Sequence, residues 1–168
     1  DEYKLLEPVR AMRDFIDDLS TWYLRRSRER IKNGNIEAKK TLYFVLKNLA
    51  KVMAPFAPFA SEDIWQKLKN SKDKESVHLE KWPKPRRIND SVIEEMSEAR
   101  RVVTLGLQNR QKAGIPVRQP LGKITINDKP LKEEYVEILK DELNIKEIEF
   151  KSLDKDTQIV LDTNITPE

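Results

Sequence analysis

Apolar residues recur along the first hundred positions at three- and four-residue spacing, the mark of helices with one buried face. In the first such segment Leu5, Val9, Met12, Ile16, Leu19 and Tyr23 form one stripe, with Phe15 and Trp22 at its edge. The pattern fades at Asn33-Gly34, a pair that ends helices, and Asn35 is suited to cap the next one. That second helix carries Leu42, Leu46, Leu49 and Met53 on its apolar side, with Lys40, Lys47 and Lys51 roughly opposite. It stops at Ala54-Pro55-Phe56-Ala57-Pro58-Phe59, because two prolines three apart cannot both lie inside a helix. A third helix is predicted from about Pro58 to Lys69, with Phe59, Ile64, Trp65 and Leu68 as its apolar set. Irregular chain follows as far as Pro85. Ser91 and Glu94 then read as a capping box for a fourth helix, which buries Val92, Met96, Ala99, Val103 and Leu107 and ends near Gly114.

Beyond that point the period changes. Lys123-Ile-Thr-Ile-Asn127 alternates like a strand, Leu131 to Leu143 reads as a short amphipathic helix, and Ile145-Lys-Glu-Ile-Glu-Phe150 alternates again. Gln158-Ile-Val-Leu161 is a further candidate strand. The predicted fold is mainly α: an antiparallel helical bundle over residues 1–113, with a small α+β appendage over 114–168. Short connections between long helices favour antiparallel neighbours. The chain opens on Asp1 in place of a methionine and closes on Thr163-Asn-Ile-Thr-Pro-Glu168, and it reads as a piece of a longer protein.

Composition narrows the function classes. The 168 residues, 36% charged and 38% hydrophobic, describe a folded chain, and no apolar run is long enough to cross a bilayer. Without cysteine there is no disulfide framework, thiolate metal site or cysteine nucleophile. Four glycines leave little material for a phosphate cradle, and no paired carboxylates or nucleophile–base pair appear. His78, the single histidine, has no constellation around it and reads as structural. The chain by itself is expected to be non-catalytic, with no cofactor or metal of its own. Nothing in the sequence indicates oligomerisation or a membrane partner, and a cytoplasmic location is expected.

Charge changes the picture further. The net value of +3 hides an asymmetry: Leu24 to Lys51 holds nine Lys/Arg against Glu29 and Glu37, and Ala99 to Asn127 holds six with no acid. From Asp128 onward six Lys face twelve Asp/Glu, so a polyanion would meet the first two-thirds of the chain. An up-down bundle gathers Arg25, Arg26, Arg28, Arg30, Lys32, Lys39 and Lys40 at one end. The same end is expected to hold Lys81, Trp82, Lys84, Arg86 and Arg87. Arg26 and Arg30 are expected to extend the inward stripe of Leu19 and Tyr23. Arg110 likewise extends that of the fourth helix, where an arginine either covers the rim of the core or meets a carboxylate. Trp22 and Tyr23, read alone, are core residues. Trp82, in a proline-flanked basic loop, either stacks on a base or pins the loop to the bundle.

Several stretches together carry a resemblance. Phe15-Ile-Asp-Asp-Leu-Ser-Thr-Trp-Tyr-Leu-Arg-Arg-Ser-Arg28, Met53-Ala-Pro-Phe-Ala-Pro-Phe-Ala-Ser-Glu62 and Ser76-Val-His-Leu79 closely resemble isoleucyl-tRNA synthetases, in the region that follows their catalytic core. Arg110 through Leu121, Glu142-Leu-Asn-Ile-Lys-Glu147 and Leu161 to Glu168 continue the likeness in the same order. The Trp-Tyr-Leu-Arg-Arg-Ser-Arg run is the most telling, since valyl enzymes resemble it at Trp-Tyr and then diverge. The resemblance implies an anticodon-binding domain and the start of a C-terminal region. Its partners would be an isoleucine-accepting tRNA and the catalytic domain of the same enzyme. ATP and Mg2+ would be used by that catalytic domain, whose His-x-Gly-His and Lys-Met-Ser-Lys-Ser motifs are not in this sequence. Within this frame Arg25, Arg26, Arg28, Arg30, Lys39 and Lys40 are expected to hold the tRNA backbone, with docking onto the catalytic domain as the alternative. Trp82, Arg110, Gln111 and Arg118 are the candidates for reading unstacked bases. A sister synthetase and a purely structural bundle are the rival readings.

Overall fold

A computed structural model describes residues 4–85, 87–152 and 158–162. The chain is mostly helical with one small sheet. It divides between residues 86 and 87 into two compact units.

The first unit begins with a single helical rod in three parts: α1 (Leu6–Asp18), a π turn (Leu19–Leu24) and α2 (Arg25–Lys32). Two hydroxyls accompany the π turn, Ser20 Oγ donating to the Ile16 carbonyl at 2.7 Å and Thr21 Oγ1 to the Asp17 carbonyl at 2.8 Å. Such back-bonding competes with the helical ladder. The wider turn also shifts the phase of everything after it. The side chain that α2 buries is therefore Ser27, at 1% exposure, while Arg30 is exposed and Arg26 half-buried. The expected inward continuation through Arg26 and Arg30 is thus displaced onto Ser27.

Gly34, at φ +85°, lets the chain reverse. Its N–H donates to the Ile31 carbonyl at 3.2 Å and that of Asn35 to the Arg30 carbonyl at 2.9 Å, the paired bonds of a left-handed helix stop. Asn35 then caps α3 (Ile36–Met53) as expected, its Oδ1 accepting from the Ala38 N–H at 2.9 Å. α3 and α4 (Pro58–Leu68) pack together, joined through Pro55 and opened by Pro58 at the first helical position. Their core is Ala50, Ala54, the fully buried Trp65, and Val77 from a 3₁₀ turn at Val77–Leu79.

The second unit is built on α5 (Asp90–Lys112), β1 (Leu121–Ile126), α6 (Glu133–Leu143), β2 (Ile145–Phe150) and β3 (Ile159–Leu161). The sheet order is β2-β1-β3, with β1 parallel to β2 and antiparallel to β3. Leu121, Ile124, Ile126, Leu139 and Leu143 are fully buried. Within this unit α5 packs against α6 and β3. Only its later part is a core face: Ala99, Val102, Val103 and Gly106 are buried, whereas Val92 and Ile93 are exposed. The start of α5 also differs from expectation. Asn89 is the cap position, and Ser91 donates to Glu95 at 2.9 Å instead of closing a box with Glu94.

Candidate nucleic-acid interface

The π turn sets the geometry of the arginine run. Arg25 Nε donates to the Thr21 carbonyl at 3.0 Å, and the Arg25 and Arg26 guanidinium carbons lie 5.8 and 5.9 Å from the centre of the Trp22 ring. Trp22 is therefore flanked by two cations, each within cation–π range, and serves to orient them. Arg28 is exposed, and Arg30 is exposed with its Nη2 donating to Ser27 Oγ at 3.1 Å. Across the Gly34 reversal, Lys39 is exposed and Lys40 pairs with Glu37 at 3.0 Å on the surface of α3. α2 packs on α3, with small residues, Ser27 and Ala38, buried on the two helices, so the basic side chains of both share the α2–α3 turn.

The loop carrying Trp82 lies elsewhere. Asp73 binds Lys47, and Glu80 binds Lys51 at 2.8 Å, which ties residues 73–80 to the later half of α3. Lys47 and Lys51 also lie 5.3 and 5.2 Å from the ring centre of Trp65, whose Nε1 donates to the Lys74 carbonyl at 3.0 Å. Each cation thus sits between a carboxylate and a buried indole. Both carboxyls are held below their ordinary range: Asp73 by the Lys47 hydrogen bond and then the Asn70 N–H, Glu80 by the Lys51 bond and then the Lys74 N–H. From Lys39 to Lys51 the helix rises about 18 Å at its standard pitch. Trp82 and Lys81 therefore do not join the arginines at one end, as the bundle order suggested; they sit toward the other end of α3. Arg86 lies outside the described residues.

A pocket of about 190 Å³ opens beside Trp82, lined by Lys51, Ala54, Pro55, Val77, His78, Glu80 and Lys81 as well. Trp82 itself is 63% exposed.

Arg110 is corrected by its burial. It is 1% exposed within the second unit, with Nη1 donating to the Pro116 carbonyl at 3.1 Å and Nη2 to the Gln119 and Asn144 carbonyls at 3.0 Å each. Burial lowers its pKa, but a guanidinium remains charged. Expected as a base reader, it has its Nη1 and Nη2 donors committed to the protein's own backbone, while its Nε is buried without a partner among the described residues. Its inward position was legible in the stripe of α5; that carbonyls rather than a carboxylate would meet it was not. Gln111 and Arg118 are exposed at the end of α5 and in the turn that follows. Within the first unit the candidates fall into two places, the α2–α3 turn and the Trp82 pocket, while Gln111 and Arg118 belong to the second unit. Among the described residues no group of three or more His, Asp and Glu is placed to hold a metal ion. No helix there is long and apolar enough to cross a membrane.

Residues 1–126 match the model of the family described as anticodon-binding domain of tRNA ligase. The chain belongs to that family. The match runs to Ile126, the last residue of β1, and so takes in all of α5. Among similar proteins are the isoleucine–tRNA ligases of Clostridium novyi, Clostridium tetani and Bifidobacterium longum. They are 44%, 40% and 38% identical over 89%, 99% and 90% of this chain. The chain spans 15%, 17% and 15% of their respective lengths, and it corresponds to their anticodon-binding region.

Proposed function

We propose that this chain is the tRNA-gripping part of an isoleucine–tRNA ligase. In that role it holds the anticodon stem-loop of an isoleucine-accepting tRNA while a catalytic domain elsewhere in the ligase aminoacylates the other end. The observation that carries the reading is the basic surface at the α2–α3 turn, in a chain whose family is defined by anticodon binding. Arg25, Arg28, Arg30 and Lys39 are exposed there on two packed helices, and the Arg25 and Arg26 guanidinium groups lie within cation–π range of the Trp22 ring. Like charges gathered in this way destabilise the free protein slightly and attract a polyanion, whose phosphates fix register without reading sequence. Gln111 and Arg118 offer a second set of exposed polar side chains in the other unit. ATP and Mg2+ belong, in this reading, to the catalytic domain, and a cytoplasmic location follows from the role in protein synthesis.

The test is a titration with isoleucine tRNA and with the same tRNA carrying an altered anticodon, each at two salt concentrations. Tighter binding of the native anticodon, with log K falling linearly against log salt, is the expected result. Absence of binding at low salt would remove the reading. Binding that ignores the anticodon would reduce it to a positioning surface. A structural bundle without an RNA partner predicts weak affinity that disappears at modest salt.

A further inference from the structure

The Trp82 pocket has a composition that the fold does not explain. An indole that merely pinned its loop would be covered, yet Trp82 is 63% exposed in a segment without regular structure, between Lys81 and Pro83. The loop is held without it: Lys47–Asp73, Lys51–Glu80 and the Trp65 Nε1 bond to the Lys74 carbonyl already fasten residues 73–80 to α3 and α4. What remains is a concavity with an apolar floor of Ala54, Pro55 and Val77, two aromatic residues on its lining, His78 and Trp82, and a polar wall of Lys51 and Glu80. At about 190 Å³ it lies below the roughly 300–1,000 Å³ of drug-sized sites, and it suits one planar ring system.

We infer that this pocket receives a single unstacked nucleobase of the bound RNA, stacked on the Trp82 face with its polar edge toward the Glu80–Lys51 pair. The inference rests on the tRNA-binding reading above and assigns a subsite to it. Three features point to a base over other planar ligands. Indole faces stack on every base, and such stacking is strong in single-stranded RNA recognition. Lys81 and Lys84 flank the indole in sequence and supply charge for the phosphates on either side of the base. Glu80 and Lys51 place an acceptor beside a donor, the complement of the donor and acceptor side by side on a base edge. The ion pair is partly covered and holds its geometry before any ligand arrives, because Glu80 also accepts the Lys74 N–H at 3.1 Å. A carboxylate has room for more than these two bonds. Arginines at the α2–α3 turn would meet the paired stem, and the pocket toward the other end of α3 would take one base from the loop.

The experiment compares Trp82→Ala and Trp82→Phe with the unaltered chain on two RNAs: an isoleucine anticodon stem-loop, and a fully paired duplex of the same stem sequence. Trp82→Ala is expected to weaken stem-loop binding roughly five- to fiftyfold, leave duplex binding unchanged, and leave the salt slope and melting temperature unchanged. Trp82→Phe is expected to stay within about threefold on both, since a phenyl ring still stacks. A 2-aminopurine placed at each loop position in turn should be quenched at one position, and that quenching should vanish in Trp82→Ala. Equal losses on both RNAs, or a lowered melting temperature, would make Trp82 a structural pin and overturn the inference. Unchanged stem-loop binding by Trp82→Ala, with salt-sensitive binding of the unaltered chain intact, would sink the inference alone. If neither RNA binds the unaltered chain, the tRNA-binding reading fails and takes the pocket with it.

Discussion

The two units hold their irregular segments by opposite means. In the first, residues 70–80 are fastened to α3 by ion pairs, Lys47 with Asp73 and Lys51 with Glu80, both cations resting against the buried Trp65 ring. In the second, the 115–119 turn is fastened by one buried guanidinium that meets only backbone carbonyls, those of Pro116 and Gln119, with Asn144 as the third. The first arrangement leaves side chains at a surface where a ligand can share them. The second makes its three bonds inside the fold, from a side chain that is 1% exposed. A charge near the surface with a titrating partner makes an adjustable clamp, whereas a buried charge on carbonyls makes a fixed one.

The comparison breaks most visibly at its two central residues. Arg110→Ala should destabilise the second unit by about 3–5 kcal/mol, because it leaves a cavity and strips three carbonyls of their donor. Amide exchange in β1 and β2 should accelerate more than in α3. Trp65→Ala should cost a similar ~3–5 kcal/mol and release exchange in α3, α4 and the 70–80 segment instead. If either substitution loosened both units equally, the division between them would be false.

A smaller effect is expected at Gly106, where an added Cβ would lie 2.6 and 2.7 Å from the δ carbons of Leu143. Leu143 is fully buried, so its side chain must shift within the core, and Gly106→Ala should cost about 1–3 kcal/mol in a chemical denaturation curve.

Acid sharpens the contrast further. A carboxyl whose folded pKa is depressed contributes stability that is complete above its unfolded value and is lost as pH falls through the folded one. Asp73 and Glu80 are both depressed, so the clamp on residues 70–80 should be intact at neutral pH and loosen below about pH 4. Arg110 and its carbonyls have nothing to titrate there. Exchange measured down a pH series should show 70–80 opening before 115–119, and the reverse order would contradict the assignment. The smallest stability effects belong to Arg28→Ala and Lys39→Ala, which should stay within about 0.5 kcal/mol in a thermal melt. Each should lower the salt slope of tRNA binding by about one.

Much of this was legible along the chain. The Gly34 reversal, the Asn35 cap, the break at Pro55 and Pro58, and the strand–helix–strand order after Gly114 all follow from local rules and stand in the structure. The resemblance carried by the Trp22-to-Arg28 run agrees with the family that residues 1–126 match. Arg110 was visible as an inward residue, but its carbonyl partners come from residues 116, 119 and 144, and the last is distant in sequence. The π turn was missed, although the Ser20-Thr21 pair, with hydroxyls able to take the carbonyls of the preceding turn, was a signal for it.

The sequence by itself determined where helices start and stop, which residues are basic, and to which family the pattern belongs, because caps, breakers and apolar periods act over four or five residues. Tertiary structure decided which basic residues share a surface. One extra residue in the turn at Leu19–Leu24 moved Ser27 inward in place of Arg26 and Arg30. Two ion pairs set Trp82 toward the end of α3 away from the arginines. Both outcomes depend on helical phase and on contacts across 26 and 29 residues, and neither is encoded in any single local window.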